Sequence, residues 1–121
     1  MSYEFYKILH IIGAFTLLLA LGGLTLHIMN GGTRQYPRRR FIMIMHGIAL
    51  LISLVAGFGL LARLGLTLTM PGWAMAKLLI WFLLGVIPAV IYRKTQMAML
   101  FWFLILALAG AAAWLAIIKP F

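Results

Sequence analysis

The chain has 121 residues, 66% of them hydrophobic, with ten lysines and arginines against one acid, Glu4, and no cysteine. That balance excludes an ordinary soluble domain, disulfide or thiolate chemistry, and any mechanism that needs paired carboxylates. A formal charge of +9 would suggest nucleic acid in a soluble protein, but here the basic residues fall mostly in short connections between apolar runs, so no nucleic-acid partner is expected.

Four runs, Ile8 to Met29, Phe41 to Ala62, Trp73 to Tyr92 and Ala98 to Ile118, each approach the ~20 residues needed to cross a bilayer. The expectation is therefore all-α: one integral membrane domain of four transmembrane helices, at about 4–29, 38–62, 72–92 and 97–118.

Helix 1 starts after Ser2, an N-cap residue, with Glu4 in the first turn where the helix dipole favours an acid. Its apolar run is too long for the core of a signal peptide and lacks a small-x-small cleavage site, so it is expected to remain. Tyr3, Tyr6 and Lys7 mark an interface, and His10 sits about one turn deeper. The first loop, Asn30-Gly31-Gly32-Thr33-Arg34-Gln35-Tyr36-Pro37, breaks the helix. Helix 2 then carries His46, with Gly47, Gly57 and Gly59 as small surfaces that admit a neighbouring backbone or a flat ligand.

The second loop, from Arg63 to Gly72, has room for a short interfacial segment. Helix 3 follows and holds the clearest functional lead, Lys77. A lysine in hydrocarbon costs at least ~2.5 to 3.5 kcal/mol, so one kept inside a span usually faces the bundle interior and a partner. Trp73, Lys77 and Trp81 recur every four residues on one face, which predicts two indoles flanking the ammonium through cation–π contacts. The plainer reading is a snorkelling lysine between interfacial tryptophans. Pro88, lacking an N–H, frees the carbonyl of Leu84 and predicts a kink. Helix 4 contains the small-residue run Ala107 to Ala113, suited to packing within the bundle or between copies in a homo-oligomer.

Arginine and lysine are concentrated in the first and third loops, so the positive-inside rule places those loops in the cytoplasm and both termini on the far side of the plasma (inner) membrane. The Arg38 to Arg40 cluster suits anionic membrane lipid. Counted from the middle of each run at ~1.5 Å per residue, His10 lies roughly 13 Å and Lys77 roughly 8 Å toward the outer side, with His27 and His46 at similar distances inward. His10 and Lys77 then share an outer layer and His27 and His46 an inner one; His10 and His46, about 20 Å apart in depth, are not two ligands of one iron.

Lys7-Ile8-Leu9-His10-Ile11-Ile12-Gly13, Pro71-Gly72-Trp73-Ala74-Met75-Ala76-Lys77-Leu78 and Lys119-Pro120-Phe121 together resemble the HemJ-type protoporphyrinogen oxidases. Those are small multi-helix membrane proteins that bind b-type haem and convert protoporphyrinogen IX to protoporphyrin IX. The resemblance implies an oxidoreductase, with His10 and Lys77 as its functional pair and His10 as the iron ligand, with His46 and His27 as alternatives. Trp73 and Trp81 would then wall the tetrapyrrole pocket, and a quinone or other acceptor would take the electrons. This chain is shorter than the family, has an additional histidine at His46, and lacks a Tyr-His pair at the end of helix 3, so haem b binding follows from the resemblance more directly than the reaction does. Two other classes compete: a Cu(I)-handling protein using Met43, Met45, Met70 and Met75 with His10 or His46, and an assembly subunit with no chemistry of its own.

Overall fold

A computed structural model describes residues 2–66 and 69–121. It contains α1 (Tyr3–Met29), α2 (Arg39–Arg63), α3 (Gly72–Arg93) and α4 (Ala98–Ile118), the last entered through a 3-10 turn at Thr95–Met97. All four helices are long and apolar enough to cross a membrane, and the chain is an all-α protein. The helix ends fall within one residue of those expected. An interfacial segment in the second loop would centre on Thr67 and Leu68, which lie outside the described residues.

The ends of the helices follow from local chemistry. The Ser2 hydroxyl accepts from the Phe5 amide at 3.2 Å, capping α1 as expected. Both α1 and α2 close with a glycine in the left-handed region, Gly31 at φ 82° and Gly65 at φ 73°. Each end satisfies its last carbonyls in the same way: Gly32 N–H reaches His27 O and Gly31 N–H reaches Ile28 O, while Leu66 N–H reaches Leu61 O and Gly65 N–H reaches Ala62 O. A side chain at either glycine would strain that closure.

The largest interface joins α1 to α2 as an antiparallel hairpin. Side chains of one helix fit against glycines of the other: Tyr6 on Gly59, His10 on Gly57, Ser53 on Gly13 and Ile42 on Gly23, pairs whose numbers sum to 65–67. Gly57 and Gly59 thus admit a neighbour, whereas Gly47 faces open space and takes no part. Helices α2 and α4 occupy opposite corners, and α1 and α3 each touch all three others. The continuous core runs through Leu17, Leu21, Leu24 and Ile28 of α1, Leu84, Ile87 and Ile91 of α3, and Ala98, Phe101 and Ile105 of α4. It fills the half of the bundle nearest the first and third loops, and His10 and Lys77 lie in the other half, toward the termini. Large apolar side chains such as Phe15, Leu19, Leu51, Leu79, Phe103 and Ile117 point outward, as lipid-facing residues do.

The close crossing of α1 and α2 makes a direct prediction. A Cβ at residue 13 would stand 2.6 Å from Ser53 Oγ and 3.0 Å from the Ser53 backbone nitrogen. Gly13→Ala should therefore lose ~1–3 kcal/mol to overpacking, whereas Gly47→Ala should be neutral or stabilising. Thermal unfolding in detergent compares the two, and equal melting temperatures would show that the helices do not cross this closely.

Candidate functional site

The three histidines differ in which ring nitrogen is committed. A backbone carbonyl can only accept, so the bonded nitrogen must carry the hydrogen. His10 Nδ1 donates to the Ser53 carbonyl at 2.9 Å, which leaves Nε2 of the neutral ring as a bare lone pair at the far edge of the imidazole. His46 Nε2 donates to the Leu84 carbonyl at 3.1 Å, and His27 Nε2 donates to the Thr33 carbonyl at 2.9 Å. In those two rings the outer nitrogen is spent, and only Nδ1, shielded by the residue's own backbone, remains. Of the three, His10 alone keeps Nε2 without a hydrogen-bond partner.

His46 has a specific structural task. Pro88 has no amide hydrogen, so the Leu84 carbonyl one turn earlier is orphaned inside α3. His46, only 5% exposed on α2, supplies the missing donor and ties α2 to α3. The sequence identified the free carbonyl, and the structure identifies what fills it.

The expected pairing of His27 with His46 does not form. The hairpin register sets His46 opposite residue 19 of α1, so it lies ~12 Å deeper than His27 along the helix axis. His27 instead stacks on Tyr36, with ring centroids 4.0 Å apart, and lies flat against Gly32. Counting from the middle of each apolar run placed His46 too shallow, because the run Ile8 to Met29 has its middle between residues 18 and 19, whereas the crossing sets the middle of α2, residue 51, against about residue 15 of α1. The same register leaves His10 and His46 ~14 Å apart in depth, so they remain separate sites.

His10 and Lys77 lie toward the same end of the bundle, seven residues into α1 and five into α3, and the end of α4 reaches that end with Lys119 over the Trp73 ring. The site thus gathers α1, α3 and the end of α4, with Ser53 and Gly57 of α2 behind the imidazole. The two tryptophans do not flank Lys77 as expected. The Trp73 ring carries the Lys119 ammonium, 5.1 Å from its centroid. Trp81 turns toward α2 and donates its indole N–H to the Leu50 carbonyl at 2.9 Å, a cross-link between helices rather than a cation cradle. A four-residue spacing aligns Cα positions, but the indole N–H of a membrane helix must find an acceptor, and the nearest one decides the rotamer.

A second cluster, at the opposite end, was not apparent from the sequence. Tyr36 and Tyr92 share a hydroxyl hydrogen bond of 2.9 Å, and Tyr92 donates onward to the Met43 sulfur at 3.7 Å. The guanidinium carbons of Arg34 and Arg39 both stand over the Tyr92 ring, 5.7 and 5.5 Å from its centroid. Burial, and then the bond to Tyr92, push the Tyr36 phenol above its usual range, so it stays protonated at neutral pH. The only prior hint was an aromatic residue beside arginine at two loop–helix junctions, Tyr36 near Arg38 and Tyr92 beside Arg93.

Clefts of about 310 and 250 Å³ lie at this end too, one lined by Ala89, Val90, Arg93 and Lys94, the other by Ile28, Met29, Thr95, Gln96, Ala98 and Met99. Among the described residues no three histidine or acid side chains gather as a metal site. The methionines divide: Met43 lies near the start of α2 with its sulfur accepting from Tyr92, while Met75 lies near the start of α3 at the other end of the bundle. Compared with protein-family models, curated proteins and solved structures, the chain matches none.

The histidine–proline arrangement can be tested as a cycle. His46→Leu should cost about 1–3 kcal/mol because the Leu84 carbonyl loses its donor. Pro88→Ala restores an amide hydrogen one turn away, so in that background His46→Leu should cost much less. Thermal unfolding of the four proteins measures the coupling, and strict additivity would mean that the two residues do not serve the same carbonyl.

Proposed function

We propose that the chain binds b-type haem within the membrane, with His10 as axial ligand, and that it serves the oxidation of protoporphyrinogen IX, the reaction of the family it resembles. The observation that carries this reading is the state of His10. It is the one histidine whose Nε2 is uncommitted, and its other nitrogen is already oriented by a backbone carbonyl, the outer-shell arrangement that favours metal ligation.

The residues present fit the group in chemistry. Ser53 fixes the imidazole tautomer through its carbonyl, and Gly57 leaves the ring room beside α2. Lys77 stands toward the same end of the bundle as His10, with Lys119 over the Trp73 ring at that end, and the chain's one acidic side chain is Glu4. An ammonium so placed would pair with a tetrapyrrole carboxylate or move a proton from the substrate. Bound haem would supply an iron able to pass single electrons. A lipid-soluble acceptor such as a quinone would take the electrons onward. Trp73 belongs to this site through Lys119, whereas Trp81 supports it from behind by holding α3 against α2. The bias of basic residues toward the first and third loops supports a plasma-membrane orientation with both termini outside the cytoplasm.

One set of purified proteins tests the reading, each produced with ample haem. Wild type should show a Soret band that His10→Ala abolishes and His27→Ala leaves intact. Lys77→Met should keep the fold, since an apolar stem replaces a costly charge, yet lower haem occupancy or porphyrinogen oxidation at least about tenfold. A colourless wild type that also fails to take up added hemin would overturn haem binding and leave an assembly protein. A Lys77→Met protein as loaded and active as wild type would return Lys77 to a snorkelling role.

A further inference from the structure

The end of the bundle that carries the first and third loops holds a charge that the chain itself cannot balance. Six of the ten basic residues, Arg34, Arg38, Arg39, Arg40, Arg93 and Lys94, lie there, and the one acid, Glu4, is in the first turn of α1 at the other end. Two of the six share an aromatic partner. Arg34 and Arg39 converge on the ring of Tyr92, which is itself held by Tyr36 and Met43. Arg39 Nε is shielded from solvent and has no hydrogen-bond partner. A buried donor on a charged group is costly to leave unmade, which sets Arg39 apart from its neighbours. Arg39 is also the first residue of α2, whose N-terminus has no side-chain cap and no acid in its first turn. Its dipole favours an anion at the same place, although the Arg39 N–H itself donates to the Tyr36 carbonyl at 3.1 Å.

From these features we infer that the Arg34–Arg39–Tyr92 cluster binds the phosphate of an anionic membrane lipid. The aromatic ring orients two planar guanidiniums, whose forked donors match phosphate oxygens, and the N-terminus of α2 adds positive potential. Lipid is the source favoured by position. Arg39 opens a helix that is long and apolar enough to cross a membrane, so the cluster lies where headgroups lie. The Tyr36 and Tyr92 hydroxyls are spent on each other and on Met43, so Tyr92 serves as a platform. The cleft beside Ala89, Val90, Arg93 and Lys94, on the same end of α3, offers room for the acyl chain's glycerol end.

The test is a titration of the detergent-solubilised full chain with phosphatidylglycerol, with phosphatidylcholine and inorganic phosphate as separate arms, read by the shift in melting temperature. Wild type should be stabilised saturably by phosphatidylglycerol and far less by either alternative. Arg34→Gln and Arg39→Gln should each raise the half-saturating lipid concentration about tenfold or more, beyond the roughly fivefold that loss of one surface charge costs near an anionic membrane. Arg38→Gln and Arg40→Gln should stay within that smaller change. Tyr92→Phe, which keeps the ring, should bind as wild type, and Tyr92→Leu should resemble the arginine variants. Each variant is compared with its own lipid-free melting temperature, so a change in basal stability does not mask the result. Equal effects of all four arginine variants would reduce the cluster to general surface charge and overturn the proposal. Stabilisation by inorganic phosphate matching that by phosphatidylglycerol would overturn the lipid assignment.

Discussion

Inside a bilayer a polar N–H or O–H must find its acceptor within the protein, and this chain offers almost nothing but backbone carbonyls. Its only acidic side chain is in the first turn of α1. His10 goes to Ser53, His46 to Leu84, Trp81 to Leu50, Thr16 to Ile12 and Thr25 to Leu21, each time to a carbonyl oxygen. Three of these bonds cross from one helix to another, so polar satisfaction and helix association are one event. The orphaned carbonyl below Pro88 is the clearest case, because a defect in α3 becomes the attachment point of α2.

The same scarcity of acceptors sorts the side chains into spent and unspent groups. A histidine with Nε2 on a carbonyl keeps its lone pair at Nδ1, next to its own backbone; a histidine with Nδ1 on a carbonyl keeps it at Nε2, on the outer edge of the ring. That distinction, rather than depth or burial alone, separates His10 from His46 and His27. Lys77 and the Arg34–Arg39 pair are unspent for a different reason, since carbonyl dipoles do not neutralise a full positive charge and Glu4 is the one acidic side chain set against ten basic ones. Both ends of the bundle are therefore suited to anions. One end holds Lys77 and the uncommitted Nε2 of His10, and at the other the positive charge stands over an aromatic platform.

Much of the fold was legible in the sequence because its signals are local. Apolar run length, Ser2, the glycine-rich break at Asn30 to Pro37 and the missing amide of Pro88 act within a turn or two of where they are read. That His10 and Lys77 fall toward one end of the bundle was also legible, since both lie a few residues from helix starts at that end. What failed depended on register or rotamer. The depth of His46 relative to His27 is fixed by which glycine of α2 receives which side chain of α1, and no single run contains that information. Trp81 shares a face with Lys77, yet the Leu50 carbonyl draws its ring toward α2. The Arg34–Tyr92 and Arg39–Tyr92 contacts join the first loop and the start of α2 to the end of α3, far apart in sequence, so only packing reveals them.

The central claim is that Nε2 of His10 is an unspent ligand. Replacing the side chain by glycine and then supplying free imidazole tests it most directly, because the small molecule can restore the ligand without restoring anything else. Hemin titrated into His10→Gly protein should give little Soret shift alone and a saturable, near wild-type shift when imidazole is added, while His46→Leu protein should bind hemin with no need of imidazole. Hemin binding by His10→Gly protein equal to that of wild type, without imidazole, would contradict the account.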